Sequence, residues 1–285
     1  MTAVIRARGL SRSYGRTRAL DGIDFDVEPG RIVGLIGPNG AGKTTALKAI
    51  LGLGPYDGEL EVLGLDPRRQ RARLMQEVCF IADVAVLPRW LKVRDALTAA
   101  EGLHPRFHRD RAEAFLAQTE IRPESRVGAL SKGMVVQLHL ALVMAIDARL
   151  LVLDEPTLGL DIIYRKNFYA TLLNDYFDEG RTIFLTTHQV EEVEHILTDV
   201  MFISHGKLIL NESMDALGEK FLELAVRPER AEEARRLAPL SERRALGREV
   251  FLFEDADRDA LAALGEVRVP GIADLFVAKV QGAGA

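Results

Sequence analysis

Residues 37–45 have the sequence Gly37-Pro38-Asn39-Gly40-Ala41-Gly42-Lys43-Thr44-Thr45. They follow an apolar run, 31–36, that predicts a buried strand, and they precede 46–51, where apolar residues recur at helical spacing. Between a strand and a helix, the pattern G-x-x-x-x-G-K-[ST] indicates phosphate binding, because its glycines let successive N–H groups turn inward at a helix N-terminus. A flexible glycine turn would not require every one of these residues. The loop therefore predicts that the chain binds a nucleoside triphosphate, with Lys43 on the outer phosphates.

An acidic pair follows a second apolar strand. The run 150–153 is entirely apolar, and Asp154 and Glu155 come directly after it. A carboxylate at the end of a neighbouring strand can hold Mg²⁺ through water, which is the role expected of Asp154, beside the hydroxyl of Thr44. Glu155 is placed to polarise the attacking water. Acidic residues also end strands without any function, but the phosphate loop upstream favours the catalytic interpretation.

The bulk composition limits the class of protein. With 285 residues the chain is long enough for one large domain with a small appendage, and its 48% hydrophobic residues suffice for a packed core. A net charge of −5 does not suggest a general nucleic-acid binder, so no nucleic-acid partner is expected. Cys79 is the only cysteine, which excludes an intrachain disulfide and fits a reducing compartment. No apolar run approaches the roughly 20 residues that span a bilayer, so we expect any membrane span to belong to another chain.

The order of strands and helices predicts the fold class. Strands are predicted at 4–10, 21–27, 31–36, 59–64, 78–82, 150–153, 182–186, 200–203 and 207–210. The segment 84–148 has helical spacing, and a long helix is expected between the strands at 150–153 and 182–186. Because strands and helices alternate, we expect an α/β protein with a largely parallel sheet that is covered on both faces.

The pattern changes after about residue 215. Short strands at 221–226 and 250–253, with short helices at 231–237, 257–264 and 272–280, predict a small α+β extension. We therefore expect a main domain over 1–214, with a helical subdomain at about 84–148, and an extension over 215–285. The sequence of the extension indicates no ligand chemistry.

A third motif, Leu130-Ser131-Lys132-Gly133-Met134, precedes a helix predicted over 135–142. Ser131 is a natural N-cap, so a plain helix start is one interpretation. Its position before the acidic strand favours a second helix N-terminus that faces phosphate. With the three motifs in the chain order 37–45, 130–134 and 150–155, the sequence resembles the ATP-binding subunits of ABC transporters over about residues 3–212. In that order they match the P-loop, the signature and the Walker B strand of the family.

The resemblance implies a P-loop NTPase (RecA-like) core, an N-terminal antiparallel β subdomain and an α-helical insert. It also implies roles for three further residues. Tyr14 lies where the family has an aromatic ring that stacks on adenine, although a half-buried tyrosine at a strand end would have the same pattern. Asp161, in Leu158-Gly159-Leu160-Asp161, matches the D-loop that crosses to the second subunit. His188 follows a strong strand and matches the switch histidine that reaches the γ-phosphate.

Two parts of the sequence depart from the family pattern. Asp83 lies at the Q-loop position, where glutamine is usual; an aspartate could bind Mg²⁺ through oxygen, but it is shorter, negative and lacks the amide donor. The signature has Lys132 and Met134 where glycine and glutamine are commonest. Ser131 and Gly133 are retained, and the resemblance implies that these two contact the γ-phosphate of ATP on the partner.

Replacing Asp83 with glutamine is expected to keep or raise the ATPase activity. The change removes one negative charge from a site that already contains Asp154, Glu155 and the triphosphate, and the same charge should make the Mg²⁺ dependence of the unaltered protein steep. Steady-state phosphate release, measured across a Mg²⁺ titration, reports both effects. A fall to the activity of a Glu155→Gln variant would contradict this interpretation of Asp83.

The resemblance also implies how the protein works. Each ATP would lie between the P-loop of one subunit and Ser131 and Gly133 of a second copy, so that binding closes a homodimer and hydrolysis reopens it. A separate integral membrane permease would be driven by this cycle, with the ATPase peripheral on the cytoplasmic face of the cell membrane. The signature and the C-terminal extension look more like those of stand-alone exporter subunits than of importers. Trp90, just after the Q-loop, lies either on the surface that meets the permease or in the core.

Two other functions stay open on the sequence alone. A soluble ABC-type ATPase could act on ribosomes or DNA, but the chain has a single cassette, no long coiled-coil insert and no basic stripe. A regulatory nucleotide-binding module with weak hydrolysis is suggested by Asp83, whereas Glu155 and His188 argue against it. Co-purification with an integral membrane protein would support the transporter subunit, and co-purification with ribosomes or DNA would support the soluble ATPase. A steady-state ATPase assay tests the regulatory module.

Overall fold

A computed structural model of the chain describes residues 2–81, 87–158, 162–178 and 180–282. Within these ranges the strands are, in chain order, β1 (Ile5–Tyr14), β2 (Thr17–Val27), β3 (Ile32–Ile36), β4 (Asp57–Val62), β5 (Val78–Ile81), β6 (Leu150–Asp154), β7 (Thr182–Thr187), β8 (Asp199–Ser204), β9 (Lys207–Ser213), β10 (Phe221–Val226), β11 (Ser241–Ala245), β12 (Arg248–Glu254) and β13 (Glu266–Arg268). The α-helices are α1 (Lys43–Ile50), α2 (Arg71–Leu74), α3 (Val93–Leu103), α4 (Arg109–Leu116), α5 (Lys132–Met144), α6 (Ile162–Thr171), α7 (Met214–Lys220), α8 (Ala231–Arg235), α9 (Arg258–Ala262) and α10 (Ile272–Gly282).

A six-stranded central sheet has the order β5-β6-β7-β3-β8-β9. Its first five strands are parallel, and β9 returns antiparallel to β8. Every residue of β3, β6 and β7 is buried, as expected for strands that are covered on both faces. In this register Ile36 pairs with Thr187, and Asp154 pairs with Thr186. The segments that follow these three strands therefore meet at one edge of the sheet.

Different elements cover the two faces of the central sheet. On one face the antiparallel sheet β2-β1-β4 and α1 share a hydrophobic cluster with the sheet, in which Phe25 stacks on Phe184 at a ring-centroid distance of 6.3 Å. On the other face α5, α6 and α10 supply the apolar side chains. These layers confirm the predicted fold class, an α/β P-loop NTPase core with an N-terminal antiparallel sheet.

The helical insert has a small core of its own. Helices α3, α4 and α5 bury Val93, Leu97, Leu116 and Leu138 against one another. Trp90 precedes α3 and is 72% exposed, so the alternative that it is a core residue is wrong. None of the helices in the described ranges is both long enough and apolar enough to cross a membrane.

The C-terminal part of the chain contains a second antiparallel sheet, of order β11-β12-β10-β13, with α8 and α9 on one face. The sequence pattern predicts β10, β12 and the last three helices, but not β11, β13 or α7. The residues of β11, Ser-Glu-Arg-Arg-Ala, show no apolar alternation because this strand lies at the sheet edge, where charged side chains block further pairing. The domain limits at 214 and 215 stay a prediction, since α10 returns to the core of the central sheet.

Candidate functional site

The loop between β3 and α1 depends on its glycines. Gly42 precedes α1 with a φ of 117°, and a Cβ at this position would lie 2.3 Å from the carbonyl oxygen of Ala19. A Cβ on Gly37 would lie 2.4 Å from the carbonyl oxygen of Ile203. No side chain caps α1, so its N-terminal N–H groups are left for a ligand, and a helix N-terminus of this kind favours an anion.

Lys43 is the buried cation of this loop. Its side chain is 6% exposed, and its ammonium donates hydrogen bonds to the carbonyl oxygens of Gly37 (2.7 Å) and Pro38 (3.3 Å). The same nitrogen lies 3.2 Å from Oε1 of Glu155. A buried ammonium requires such partners. The two carbonyl oxygens and the Glu155 carboxylate hold it beside the N-terminus of α1, where phosphate is expected.

The acidic pair is fixed by the neighbouring strand β7. The hydroxyl of Thr186 donates a hydrogen bond of 2.6 Å to Oδ1 of buried Asp154. Glu155 has a φ of 48°, and its backbone N–H donates to the carbonyl oxygen of Thr186 at 3.1 Å. A left-handed conformation costs a residue with a side chain about 1–2 kcal/mol, so the surrounding contacts have to hold Glu155 in it. The strained residue is the one predicted to handle the attacking water.

His188 faces the carboxylate of Glu155 from the end of β7. Nδ1 of the ring lies 2.9 Å from Oε2 of Glu155, and the backbone N–H of His188 donates to the same oxygen at 3.3 Å. Each carboxylate oxygen of Glu155 therefore has its own partner, Oε1 with Lys43 and Oε2 with His188. A histidine in this contact can orient the carboxylate and exchange a proton with it.

One cavity of about 500 Å³ collects these side chains. Tyr14 lies on its lining, is 49% exposed, and has the guanidinium of Arg12 at 4.7 Å from its ring centroid. The other lining residues are Ala19, Pro38, Asn39, Gly40, Gly42, Lys43, Thr44, Thr45, Asp154, Glu155, Leu158 and His188. Cationic and N–H groups for phosphates, oxygen donors and an aromatic ring therefore share one cavity, an arrangement that suits a nucleoside triphosphate.

Some predicted site residues lie elsewhere. Ser131 and Gly133 are not among the residues that line the cavity; Ser131 caps α5, where its hydroxyl accepts a hydrogen bond of 3.2 Å from the N–H of Met134. The N-cap role is therefore present in the chain, and the phosphate contact stays a prediction. Asp83 and Asp161 lie outside the described residues, so their predicted roles also stay predictions.

Several residues that the sequence pattern does not predict hold the site residues and the segments next to them through hydrogen bonds and an ion pair. Thr186 lies in the strand predicted at 182–186, and a hydroxyl opposite a strand-end aspartate is the signal that could have identified it. Glu192 forms an ion pair with Arg165 and accepts a hydrogen bond of 3.2 Å from the hydroxyl of Thr157. Thr157 also lies 3.2 Å from the hydroxyl of Tyr169, whose burial raises its pKa to about 12. No sequence spacing connects these residues.

Sequence relatives identify the kind of site. A family model described as ABC transporter matches residues 20–158. The Nod factor export ATP-binding protein I of Sinorhizobium fredii (strain NBRC 101917 / NGR234) is 35% identical over 225 residues, which cover 75% of this chain and 64% of that protein. The protein of the same name from Burkholderia thailandensis is 34% identical over 270 residues, which cover 89% of this chain and 86% of that protein. The chain thus spans less than two thirds of the first relative and most of the second.

Solved structures agree with the sequence relatives. A structure described as the ATP-binding subunit of an ABC transporter is 26% identical and superposes with a TM-score of 0.66 over 75% of this chain and 91% of that one. The cbiO1 structure from Clostridium perfringens, described as part of the ABC transporter complex cbiONQ, covers 75% of this chain and 89% of its own with a TM-score of 0.61. At 22% identity the latter likeness shows the fold alone.

Proposed function

The chain belongs to the family of ATP-hydrolysing, ATP-binding subunits of ABC transporters, and from this premise we propose that two copies of it drive a separate membrane permease that exports its substrate. The observation that carries the proposal is the connected set Lys43, Glu155 and His188. Glu155 lies within 3.2 Å of Lys43 and 2.9 Å of His188, inside a cavity of sufficient size for a nucleotide.

We assign the reacting end of the cavity to these three side chains. Lys43 binds the outer phosphates and neutralises charge that develops on the transferred phosphoryl group. Glu155 holds the attacking water in line and accepts its proton, and His188 fixes the carboxylate of Glu155 through the 2.9 Å contact. Catalysis of this kind consists mainly of positioning and charge neutralisation, so small displacements of these groups are costly.

Mg²⁺ is assigned to the oxygen donors beside the phosphate loop. The hydroxyl of Thr44 and the carboxylate of Asp154 line the same cavity, and both are hard oxygen ligands of the kind that Mg²⁺ prefers. Thr186 fixes the orientation of the Asp154 carboxylate, as expected for the support of a metal ligand. Bound there, Mg²⁺ would supply charge neutralisation at the β- and γ-phosphates. The proposed role of Asp83 as a further ligand rests on sequence alone.

The second half of each ATP site is assigned to another copy of the chain. Ser131 and Gly133 do not line the cavity of their own chain, and the α5 N-terminus that they form is suited to an anion. In a homodimer each copy would present this N-terminus to the γ-phosphate on its partner, with Asp161 at the crossing. ATP would then favour the closed dimer because it contacts both copies, and hydrolysis would remove that preference. Tyr14 would stack on adenine.

Export is supported by the relatives, whose names are those of export ATP-binding proteins. We therefore prefer a transporter subunit, peripheral on the cytoplasmic face of the membrane, over an ATPase that acts on ribosomes or DNA. We assign the surface that contacts the permease to the helical insert, where Trp90 is exposed just before the start of α3. The regulatory alternative is disfavoured by the intact contact between Glu155 and His188.

A Trp90→Ala variant is expected to bind its membrane partner about 30-fold more weakly, as measured by recovery of that partner from solubilised membranes. Truncating an aromatic anchor typically costs about 2 kcal/mol of binding free energy. Its ATPase activity without the permease should be unchanged, because Trp90 does not line the cavity. The matched control is Leu103→Ala, which removes another exposed apolar side chain (85% exposed) at the C-terminal end of α3. Equal recovery of an integral membrane protein by both variants would contradict this docking surface, and recovery of ribosomes or DNA would contradict the transport function.

A further inference from the structure

The last helix of the chain packs on the ATPase core and not only on its own sheet. Ile272, Leu275 and Ala278 of α10 are buried in one hydrophobic cluster together with the segment 190–197. Phe276 meets Phe202 of β8 edge to face, with ring centroids 5.1 Å apart. Phe202 pairs in register with the last residue of β3, just before the phosphate loop. The helix is thus part of the support beneath the ATP site.

The segment that α10 contacts begins directly after His188. Residues 190–192 form a single 3-10 turn, which we call the 190–192 turn, and α10 packs against it. Val190 and Val193 face the apolar cluster shared with α10. On the polar side, Glu192 is held by Arg165 and by the hydroxyl of Thr157 at 3.2 Å. The turn is therefore held from two sides, by Thr157 and by Arg165 of α6 on the polar side and by α10 on the apolar side.

We propose that α10 positions His188 for ATP hydrolysis by fixing the 190–192 turn. The inference rests on the proposed role of His188 at Glu155. The contact that matters is 2.9 Å long, and a displacement of about 1 Å at such a contact can cost about 100-fold in rate. A side chain at the start of a loop keeps such a position only if the chain that follows it is packed, and α10 provides the apolar half of that packing.

The same helix is tied to the C-terminal sheet. Lys279 of α10 donates to Glu254, the last residue of β12, at 2.8 Å. Glu254 also pairs with Lys220 at 3.5 Å, and Lys220 donates to Glu212 of β9 at 3.1 Å. Charge pairs thus connect the C-terminal sheet, α10 and the edge of the central sheet. The C-terminal extension is accordingly a positioning element of the ATPase.

The test compares two buried leucines of the extension that are both 1% exposed. Leu275 lies in the cluster with the 190–192 turn, whereas Leu261 lies in the separate cluster between α9 and the C-terminal sheet. Leu275→Ala should lower kcat about 10- to 100-fold and change the dissociation constant for ATP less than about 2-fold, because the phosphate loop is untouched. Leu261→Ala should leave both quantities close to those of the unaltered chain. Leu275→Met should recover most of the lost rate, since it restores the volume.

A His188→Ala background separates positioning from general damage. If α10 acts through His188, then Leu275→Ala lowers kcat no further once His188 is absent. Equal losses from Leu275→Ala and Leu261→Ala, or a full additional loss in the His188→Ala background, would overturn the proposal. If Leu275→Ala fails to fold by thermal melting, then Phe276→Ala, at a half-buried position on the same helix, replaces it with the same expectation. A His188→Ala variant with unchanged kcat would instead overturn the proposed role of His188 itself.

Discussion

A Glu155→Gln variant is expected to bind ATP and to hydrolyse it about 10²- to 10⁴-fold more slowly, the range typical for loss of a general base. The amide has the shape of the carboxylate and preserves the fold, but it cannot accept the proton of the attacking water. It also removes the negative charge that lies 3.2 Å from Lys43, so ATP affinity should be kept or raised. Phosphate release and nucleotide binding are measured on the same sample.

The matched control for this change is Glu120→Gln, an exposed glutamate of the helical insert. It removes the same charge without touching the cavity or the 190–192 turn, and it should retain nearly full activity. A Glu155→Gln variant that hydrolyses ATP as fast as the Glu120→Gln variant would show that Glu155 does not handle the attacking water.

Replacing Lys43 with methionine is expected to weaken ATP binding about 10- to 100-fold or more, because charged hydrogen bonds to phosphate contribute about 1.5–3 kcal/mol each. Methionine retains the apolar volume, so the loss reports the ammonium group. The change also leaves Glu155 without the cation 3.2 Å away, which adds repulsion toward the phosphates. Isothermal titration with ATP and Mg²⁺ measures the affinity.

The same helix supplies the control for Lys43. Lys48 lies on an exposed position of α1, outside the cavity, and Lys48→Met should bind ATP as the unaltered chain does. If Lys43→Met and Lys48→Met bind ATP equally well, then the phosphates do not lie at the N-terminus of α1, and the assignment of the whole cavity is wrong.

The parts of the site that could be predicted from sequence are those encoded in short segments. Residues 37–45 predict their own loop conformation, because only glycine fits at Gly37 and Gly42, where a Cβ would collide with a backbone carbonyl oxygen. The strands β3 and β6 were predictable because a strand buried on both faces is almost continuously apolar, and β7 carries the apolar run Ile183-Phe184-Leu185. Local chemistry was therefore sufficient for the fold class and for the phosphate loop.

Contacts between distant segments could not be predicted from the sequence pattern. That Glu155 lies between Lys43 and His188 depends on the strand order, which periodicity does not specify. The support of the 190–192 turn by α10 joins segments that are far apart in the chain, and the apolar spacing of α10 predicts a helix without naming the surface it covers. Trp90 is a similar case, because an aromatic residue in a helical insert fits a core or a surface equally well until its exposure is known.

The most direct test of the central claim, that two copies of the chain complete each other's ATP sites, is the mass of the Glu155→Gln variant in solution. With Mg²⁺ and an ATP concentration that saturates Glu155→Gln but not a Lys43→Met/Glu155→Gln double variant, light scattering should give twice the mass of one chain for Glu155→Gln. The double variant should give the mass of one chain. A Glu155→Gln protein that stays monomeric with bound ATP, with or without its membrane partner, would contradict the shared site and the transport function built on it.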